Sequence, residues 1–207
     1  MRDHFNEKEE LPAESGLRMA RRGKERMGAA PLPPRPGQMT KQAGSTSKPH
    51  LPPGIRPATA ADRMRLIPLI NSAFSIETFL EGTRTDEDRL AAMMRKGEIL
   101  VAEDGAGKLL GCVYTEVRGA RGYLGQLAVD PACQGAGLAR RIVAAAEDSL
   151  RRQGCEAVDI TVLNMRPELP PIYRRFGYVE TGTGEFHPSQ PLKSGVECHC
   201  ILMSKQL

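Results

Sequence analysis

The hydrophobic pattern after residue 54 begins with a short strand, predicted over 55–58, and continues with two helices. Thr59 stands at an N-cap position, and apolar residues then recur at helical spacing as far as Phe74. Thr85, with an acidic residue three positions on, has the spacing of a capping box. It opens a second predicted helix, which Gly97 ends.

The middle of the chain predicts strands on both sides of a long helix. Apolar and β-branched runs bounded by glycine-containing turns indicate strands over 99–103, 109–117, 123–129 and 157–163. The first three follow one another closely, which favours antiparallel pairing. Between the last two, an apolar stripe with charged residues opposite predicts a helix from Gly135 to Gly154. Strand, helix and strand then form a β-α-β unit with parallel strands.

A short helix near Pro170 and two final strands, over 178–181 and 198–204, complete the pattern. The predicted fold class is α/β (α+β). It has a mixed, mostly antiparallel sheet of about seven strands flanked by helices, with a single parallel β-α-β unit.

Residues 1–54 differ from the rest in composition. They hold eight prolines and almost no branched apolar residues, which predicts a disordered tail before one domain over 55–207. A start codon assigned too far upstream would leave the same pattern. The tail has ten basic and six acidic residues, whereas the remainder has 19 of each. A neutral core argues against nucleic-acid binding, although the tail's basic run could touch RNA or anionic lipid weakly.

Localisation is expected to be cytoplasmic. The chain opens on charged residues and contains no apolar run of membrane-spanning length, so neither a secretory signal nor a membrane partner is predicted. The five cysteines form no disulfide-like framework. Cys198 and Cys200 would share one side of a strand and His199 the other, so no metal site is predicted. A homodimer is kept as an option for assembly.

The residues most informative about chemistry are 127–139, where a strand turns through Gly135 and Gly137 into the long helix. The first N–H groups of a helix lack internal partners and lie at the positive end of its dipole, an arrangement that binds phosphate or pyrophosphate. Gly137 is not followed by the Lys-Ser/Thr of a P-loop, and Arg140 stands where the dinucleotide fingerprint needs Gly or Ala. A coenzyme A loop remains.

Three segments together resemble the GNAT superfamily of acyl-CoA-dependent N-acyltransferases. Gln134-x-x-Gly137-x-Ala139 is similar to the family's motif A, and Asn164 and the segment 171–178 resemble its later motifs at the expected separations. The resemblance covers about residues 55–207. It implies an N-acetyltransferase fold and acetyl-CoA as co-substrate.

The resemblance also implies roles for individual residues. Backbone amides would bind the pyrophosphate at Gln134, Gly135, Ala136, Gly137, Leu138 and Ala139. Main chain on the exposed edge of strand 123–129 would bind the pantetheine arm, at Leu127, Ala128 and Val129. Asn164 would orient the cofactor. Tyr173 would lie near the thioester sulfur, where a phenol that keeps its proton at pH 7 can donate to a leaving thiolate.

The acceptor amine needs a base, because an alkylammonium is almost fully protonated at pH 7. Many family members supply a glutamate from the strand before motif A, but no carboxylate stands there in this chain. Glu116 on the neighbouring strand is the predicted general base, and its alternative is an outward-facing strand residue. Cys112 or Cys133 could carry an acetyl group, yet neither has an evident histidine partner, so direct transfer is favoured.

The acceptor is expected between the loops 71–84 and 182–197. Their charged residues could attract an amine or read a carboxylate, and solvated loop charges explain them equally well; they are Glu77, Glu81, Arg84, Glu185 and His187. The predicted function is acetyl transfer to a small-molecule or amino-acid-like amine in a ternary complex. The alternatives are acetylation of a protein N-terminus or lysine, and a non-catalytic acyl-CoA-binding module.

Overall fold

The computed structural model describes residues 54–186 and 191–207. The predicted tail therefore lies outside the described residues, apart from Gly54. The helices and strands are β1 Gly54–Pro57, α1 Arg63–Ala73, α2 Glu87–Lys96, β2 Glu98–Glu103, β3 Leu109–Arg118, β4 Arg121–Val129, α3 Leu138–Arg152, β5 Ala157–Leu163, α4 Leu169–Arg175, β6 Val179–Glu185 and β7 His199–Gln206.

The described residues form one sheet of seven strands in the order β1-β2-β3-β4-β5-β7-β6. Only β4 and β5 pair in parallel, joined through α3, and every other neighbouring pair is antiparallel. This confirms the predicted fold class. The parallel pair lies in the middle of the sheet, so the chain between β4 and α3 ends up beside the sheet's centre rather than at an edge.

Successive side chains of a strand point to opposite faces of the sheet, so both faces carry apolar residues. Helices cover both faces. On β3, Val113 belongs to the apolar cluster around α3, whereas Cys112 and Tyr114 belong to the cluster around α1 and α2. A third, smaller cluster contains Phe79, which lies on the loop between α1 and α2, together with residues from the ends of β5 and β7. The described residues therefore form three apolar clusters.

Two local predictions differ from the structure. Helix α2 is capped by Asp86, whose side chain accepts from the Arg89 amide, and the predicted cap Thr85 is instead buried against Asn71. Strand β6 runs to Glu185 rather than ending near 181, because its pairing with β7 continues past an irregularity at Gly182. No helix among the described residues is long and apolar enough to cross a membrane.

Candidate active site

The bend before α3 is open to solvent. Gly135 and Gly137 have φ of +79° and +78°, the left-handed region that glycine adopts without strain. A Cβ added to either residue would meet no atom within 4 Å among the described residues. The bend therefore leaves the amides at the start of a 15-residue helix accessible. An anion placed there would meet both unpaired N–H groups and the positive end of the helix dipole.

Side chains within and beside the loop hold this bend in place. Asp130 ends β4, and its carboxylate accepts from the Ala132 amide at 2.9 Å and pairs with Lys108 at 2.8 Å. The Gln134 side chain donates back to the Val129 carbonyl at 3.3 Å. The loop is thus fixed at its beginning by β4, so that the glycine bend follows in a defined position.

Strands β4 and β5 part from each other before either one ends. Their parallel pairing runs only from Arg121 to Leu124 on β4, although that strand continues to Val129. The parting coincides with a bulge, since the pairing of β4 with β3 shifts register opposite Gln126, which has a φ of +47°. The β4 edge that contains Leu127 and Ala128 therefore faces a gap instead of β5.

Tyr173 is buried on α4 in the same apolar cluster as Val129 and Val162, which belong to the two parting strands. Burial raises the pKa of its phenol to about 12. Its ring packs edge-to-face against Tyr178, with the ring centroids 5.8 Å apart. The phenol therefore stays protonated throughout the physiological pH range.

Asn164 follows directly after β5. Its side-chain oxygen accepts from the His199 amide at 2.9 Å, and its own amide donates to the His199 carbonyl at 3.0 Å. These bonds tie the end of β5 to β7. The side-chain NH2 group is left as the donor that Asn164 can offer to a ligand.

Glu116 is less suited to the predicted role of general base. Its buried carboxylate accepts from Arg118 at 2.9 Å and from the Tyr114 hydroxyl at 3.0 Å, and it pairs with Lys96 at 3.1 Å. The Arg118 bond is the largest of the effects that lower its pKa to about 2. A carboxylate with that pKa has little affinity for a proton at pH 7. Its surroundings thus favour a structural role.

The two thiols considered as acetyl carriers lie in different surroundings. Cys112 is buried on β3, and burial raises its pKa to about 12, so it is a thiol and a poor nucleophile at pH 7. Cys133 lies in the loop before α3 and is half-buried. Among the described residues, no group of three or more His, Cys, Asp or Glu side chains is arranged to hold a metal ion.

The structure brings together the two loops that were expected to border the acceptor. Leu80 and Leu192 form a β-bridge, and the Lys193 amide donates to the Phe79 carbonyl at 3.0 Å. Of the charged residues named for this region, Glu77 and Arg84 are joined by an ion pair, while Glu81 and Glu185 are exposed. His187 lies outside the described residues.

Two residues near the gap were not predicted. Gln126 accepts from Arg84 at 2.9 Å, and Arg166 pairs with Glu77 at 3.0 Å. Gly125 inside a predicted strand was an available signal for Gln126, because a glycine there often marks a bulge. Nothing in the local pattern indicated Arg166, whose partner lies 89 positions away.

Comparison with known proteins identifies the family of this chain. Residues 69–187 match the family model described as acetyltransferase (GNAT) domain. Among curated proteins, glucosamine 6-phosphate N-acetyltransferase 1 of Oryza sativa subsp. japonica is 34% identical over 136 residues, which are 61% of this chain and 81% of the relative. Mycothiol acetyltransferase of Propionibacterium freudenreichii subsp. shermanii is 30% identical over 155 residues, 70% of this chain. The match spans only about half of that relative, 49%.

Solved structures share the fold. The Salmonella typhimurium protein yncA, described as a putative acetyltransferase with its cofactor acetyl-CoA, superposes with a TM-score of 0.60 at 23% identity. The match covers 75% of this chain and 94% of that protein. At this identity the likeness concerns the fold alone.

Proposed function

Because the chain belongs to the GNAT acetyltransferase family, we propose that it transfers the acetyl group of acetyl-CoA to the amine of a small molecule by direct attack in a ternary complex. The enzyme class and the acetyl donor follow from the family. The proposal itself concerns the acceptor, the order of events and the residues that carry them.

The open glycine bend before α3 is the observation that carries the proposal. Its exposed amides and the free edge of β4 fit a ligand with a pyrophosphate at one end and an amide-containing arm. Amides of residues 134–139 would bind the pyrophosphate, and main chain of residues 127–129 would bind the arm. The remaining donor of Asn164 would orient the same ligand.

Acetyl-CoA supplies the acetyl group as a thioester, and the chain's own residues bind and position it. The neutral amine nitrogen forms the new bond to the carbonyl carbon, the carbon–sulfur bond breaks, and solvent accepts the one proton that the nitrogen loses. With a pKa of about 12, Tyr173 does not surrender its proton to a thiolate whose conjugate acid has a pKa near 8.5. It would act as a hydrogen-bond donor to the sulfur, with solvent supplying the proton of the free thiol.

Two observations favour this mechanism and acceptor over the alternatives. The high pKa of the Cys112 thiol disfavours an acetyl-cysteine step through that residue. Two curated relatives carry small molecules, mycothiol and glucosamine 6-phosphate, in their names. We place the reaction in the cytoplasm, as five cysteines without a disulfide-like framework led us to expect.

Release of free thiol from acetyl-CoA, measured across a panel of small amines and peptides, tests the proposal. We expect acetyl-CoA to raise the melting temperature and at least one small amine to raise thiol release well above hydrolysis. Turnover with peptides alone would instead identify a protein acetyltransferase. Stabilisation without turnover on any amine would identify a binding module.

A further inference from the structure

Two arginines share one buried carboxylate beside the proposed reaction site. Glu77 pairs with Arg84 and with Arg166, and each contact is 3.0 Å long. Only 5% of the Glu77 side chain is exposed, compared with 25% for Arg84 and 14% for Arg166. We call Arg84 and Arg166 the arginine pair.

The arginine pair lies at the gap between β4 and β5. Arg84 donates to Gln126, the bulge residue where β4 leaves β5, and Arg166 follows two positions after Asn164. Burial dominates the raised pKa of Tyr173, and the positive charge of Arg166 opposes that rise, so Arg166 lies within electrostatic range of the phenol. Both cations are therefore close to where the acceptor must meet the acetyl group.

The buried charges of this cluster do not cancel, although the exposed Glu168 carboxylate brings the formal sum to zero. Two largely buried guanidinium groups face one buried carboxylate, which leaves one positive charge in excess. Glu168 also pairs with Arg166 at 2.6 Å, but its side chain is 51% exposed, so water screens that contact. Among the described residues, neither Nη2 amino group of the pair meets a hydrogen-bond acceptor.

The geometry of the pair suits an anion. Each guanidinium keeps its Nη2 amino group for a ligand, and the two groups could each donate to an oxygen of one carboxylate or phosphate. Arg84 is also held on one face and at one edge, since its guanidinium lies over the Phe74 ring at 4.6 Å and its Nε donates to Gln126. A pre-positioned donor loses little side-chain entropy when an anion binds.

We propose that the acceptor carries an anionic group, a carboxylate or a phosphate, and that Arg84 and Arg166 bind it next to the reacting amine. Glu77 then acts as the built-in counter-ion that keeps the pair in place while the site is empty of acceptor. This inference rests on the proposed function, because it assigns the substrate class of the same site.

Matched acceptors test the proposal by kinetics. Glucosamine 6-phosphate against glucosamine, and alanine against alaninamide, differ in one anionic group while keeping the amine. We expect kcat/KM to be at least about tenfold higher for the anionic member of one pair, which also tells phosphate from carboxylate. Equal or better turnover of both neutral members would overturn the proposal.

A binding measurement decides the question even if none of these amines is turned over. With saturating coenzyme A occupying the α3 bend, inorganic phosphate and acetate are titrated while the melting temperature is followed. We expect one of these anions to raise the melting temperature of the native chain further. R84Q and R166Q should increase the anion concentration needed for that rise at least about tenfold. R151Q is the control, since Arg151 is an exposed arginine on α3 that pairs with Asp148.

The Glu77→Gln variant adds an effect of opposite sign. Gln keeps an oxygen acceptor for the arginines but removes the competing negative charge, so the same anion should bind more tightly than in the native chain, and weaker binding would contradict the proposal. A purely structural ion pair would give no such gain. No anion response in the native chain, or an equal response in R84Q, R166Q and R151Q, overturns the inference. Failure of coenzyme A itself to stabilise the protein would instead count against the proposed function.

Discussion

At the scale of single residues, burial and hydrogen bonding decide which titratable groups can do chemistry. Tyr173 is buried in an apolar cluster, which raises its pKa and preserves its proton. Glu116 is buried among three donors, which lowers its pKa and removes its basicity. Both residues were predicted as catalytic groups, and their surroundings separate them.

For Tyr173→Phe we expect kcat to fall by about 100-fold, because the donor to the leaving sulfur is lost. The affinity for acetyl-CoA should stay within about threefold, since the ring is kept. As the phenol of the native chain is protonated up to a pKa of about 12, the loss should be the same from pH 6 to 10. Steady-state kinetics at several pH values, followed with a reagent that detects free thiol, measure this loss of kcat.

Tyr178→Phe is the matched control. Its hydroxyl is buried beside the Glu147 carboxylate of α3, so its removal should leave kcat unchanged. Full turnover of Tyr173→Phe, or an equal loss in both variants, would remove the role assigned to Tyr173.

For Glu116→Gln we expect lower stability rather than a changed pH–rate profile. The loss of a buried, ion-paired carboxylate should reduce the free energy of unfolding at pH 7 by about 1–2 kcal/mol. The native pKa is depressed from 4.5 to about 2, so this stabilisation is present above pH 4.5 and is lost as the pH falls to 2. Urea unfolding at several pH values measures the difference.

Turnover of the same variant between pH 6 and 9 tests the original assignment. A loss of tenfold or more, in a protein that still binds acetyl-CoA, would establish Glu116 as the base despite its low pKa. Glu87→Gln, an exposed carboxylate on α2, should change neither stability nor turnover appreciably.

At the scale of elements, the start of α3 and the parting of β4 from β5 together form the proposed cofactor region. The bend supplies donors for an anion, and the bulge at Gln126 frees the β4 edge beyond Leu124. Neither feature would serve without the other, because a long ligand needs its charged end and its arm bound at once.

For Gly137→Glu we expect acetyl-CoA no longer to raise the melting temperature. The new carboxylate would enter the open space in front of α3 and repel the pyrophosphate. A non-glycine residue at a φ of +78° should also cost about 1 kcal/mol of stability. Thermal shift with and without acetyl-CoA separates the two effects.

Gly119→Glu serves as the control for backbone strain. Gly119 lies in the turn between β3 and β4, has a φ of +63°, and also has open space around an added Cβ. The variant should lose similar stability yet keep its response to acetyl-CoA. A response retained by Gly137→Glu would contradict anion binding at the bend.

At the scale of the whole molecule, ion pairs connect elements that are distant along the chain. Asp62 is 2% exposed and joins β1 to the start of α1 through Arg56 and Arg65. Asp159 joins β5 to β4 through Arg121. The hydrogen bond from Arg56 is the main cause of the low pKa of Asp62, and the one from Arg121 is the main cause for Asp159.

These depressed pKa values predict that the protein loses stability in acid. Each carboxylate stabilises the fold above the pKa it has when unfolded, near 4, and that contribution disappears as the pH falls through the lower native value. The urea midpoint should therefore decrease steadily below about pH 4.5. Asp62→Asn should be less stable by about 3 kcal/mol at pH 7 and show a shallower decline. A slope equal to that of the native chain would contradict the assignment to Asp62.

The sequence by itself determined the elements, the single parallel β-α-β unit, the glycine bend and the family. These are local properties: a period of 2 or 3.6, a glycine where a helix starts, and a motif of contiguous residues are all present before folding. The start of α2 could not be fixed from the sequence, because Thr85 and Asp86 are both good caps. Packing against Asn71 placed Thr85 in the interior and left Asp86 as the cap.

Only the tertiary structure decided which charged groups are already paired and which are available to a ligand. Lys96 reaches Glu116 from another element, and Arg166 reaches Glu77 across 89 positions of the chain. The energy of a charge depends on its burial and its partners, and both are set when distant elements pack together. For that reason the sequence pattern could suggest Glu116 as a base. Only the packed structure shows that its carboxylate is already ion-paired and that the arginine pair lies at the gap.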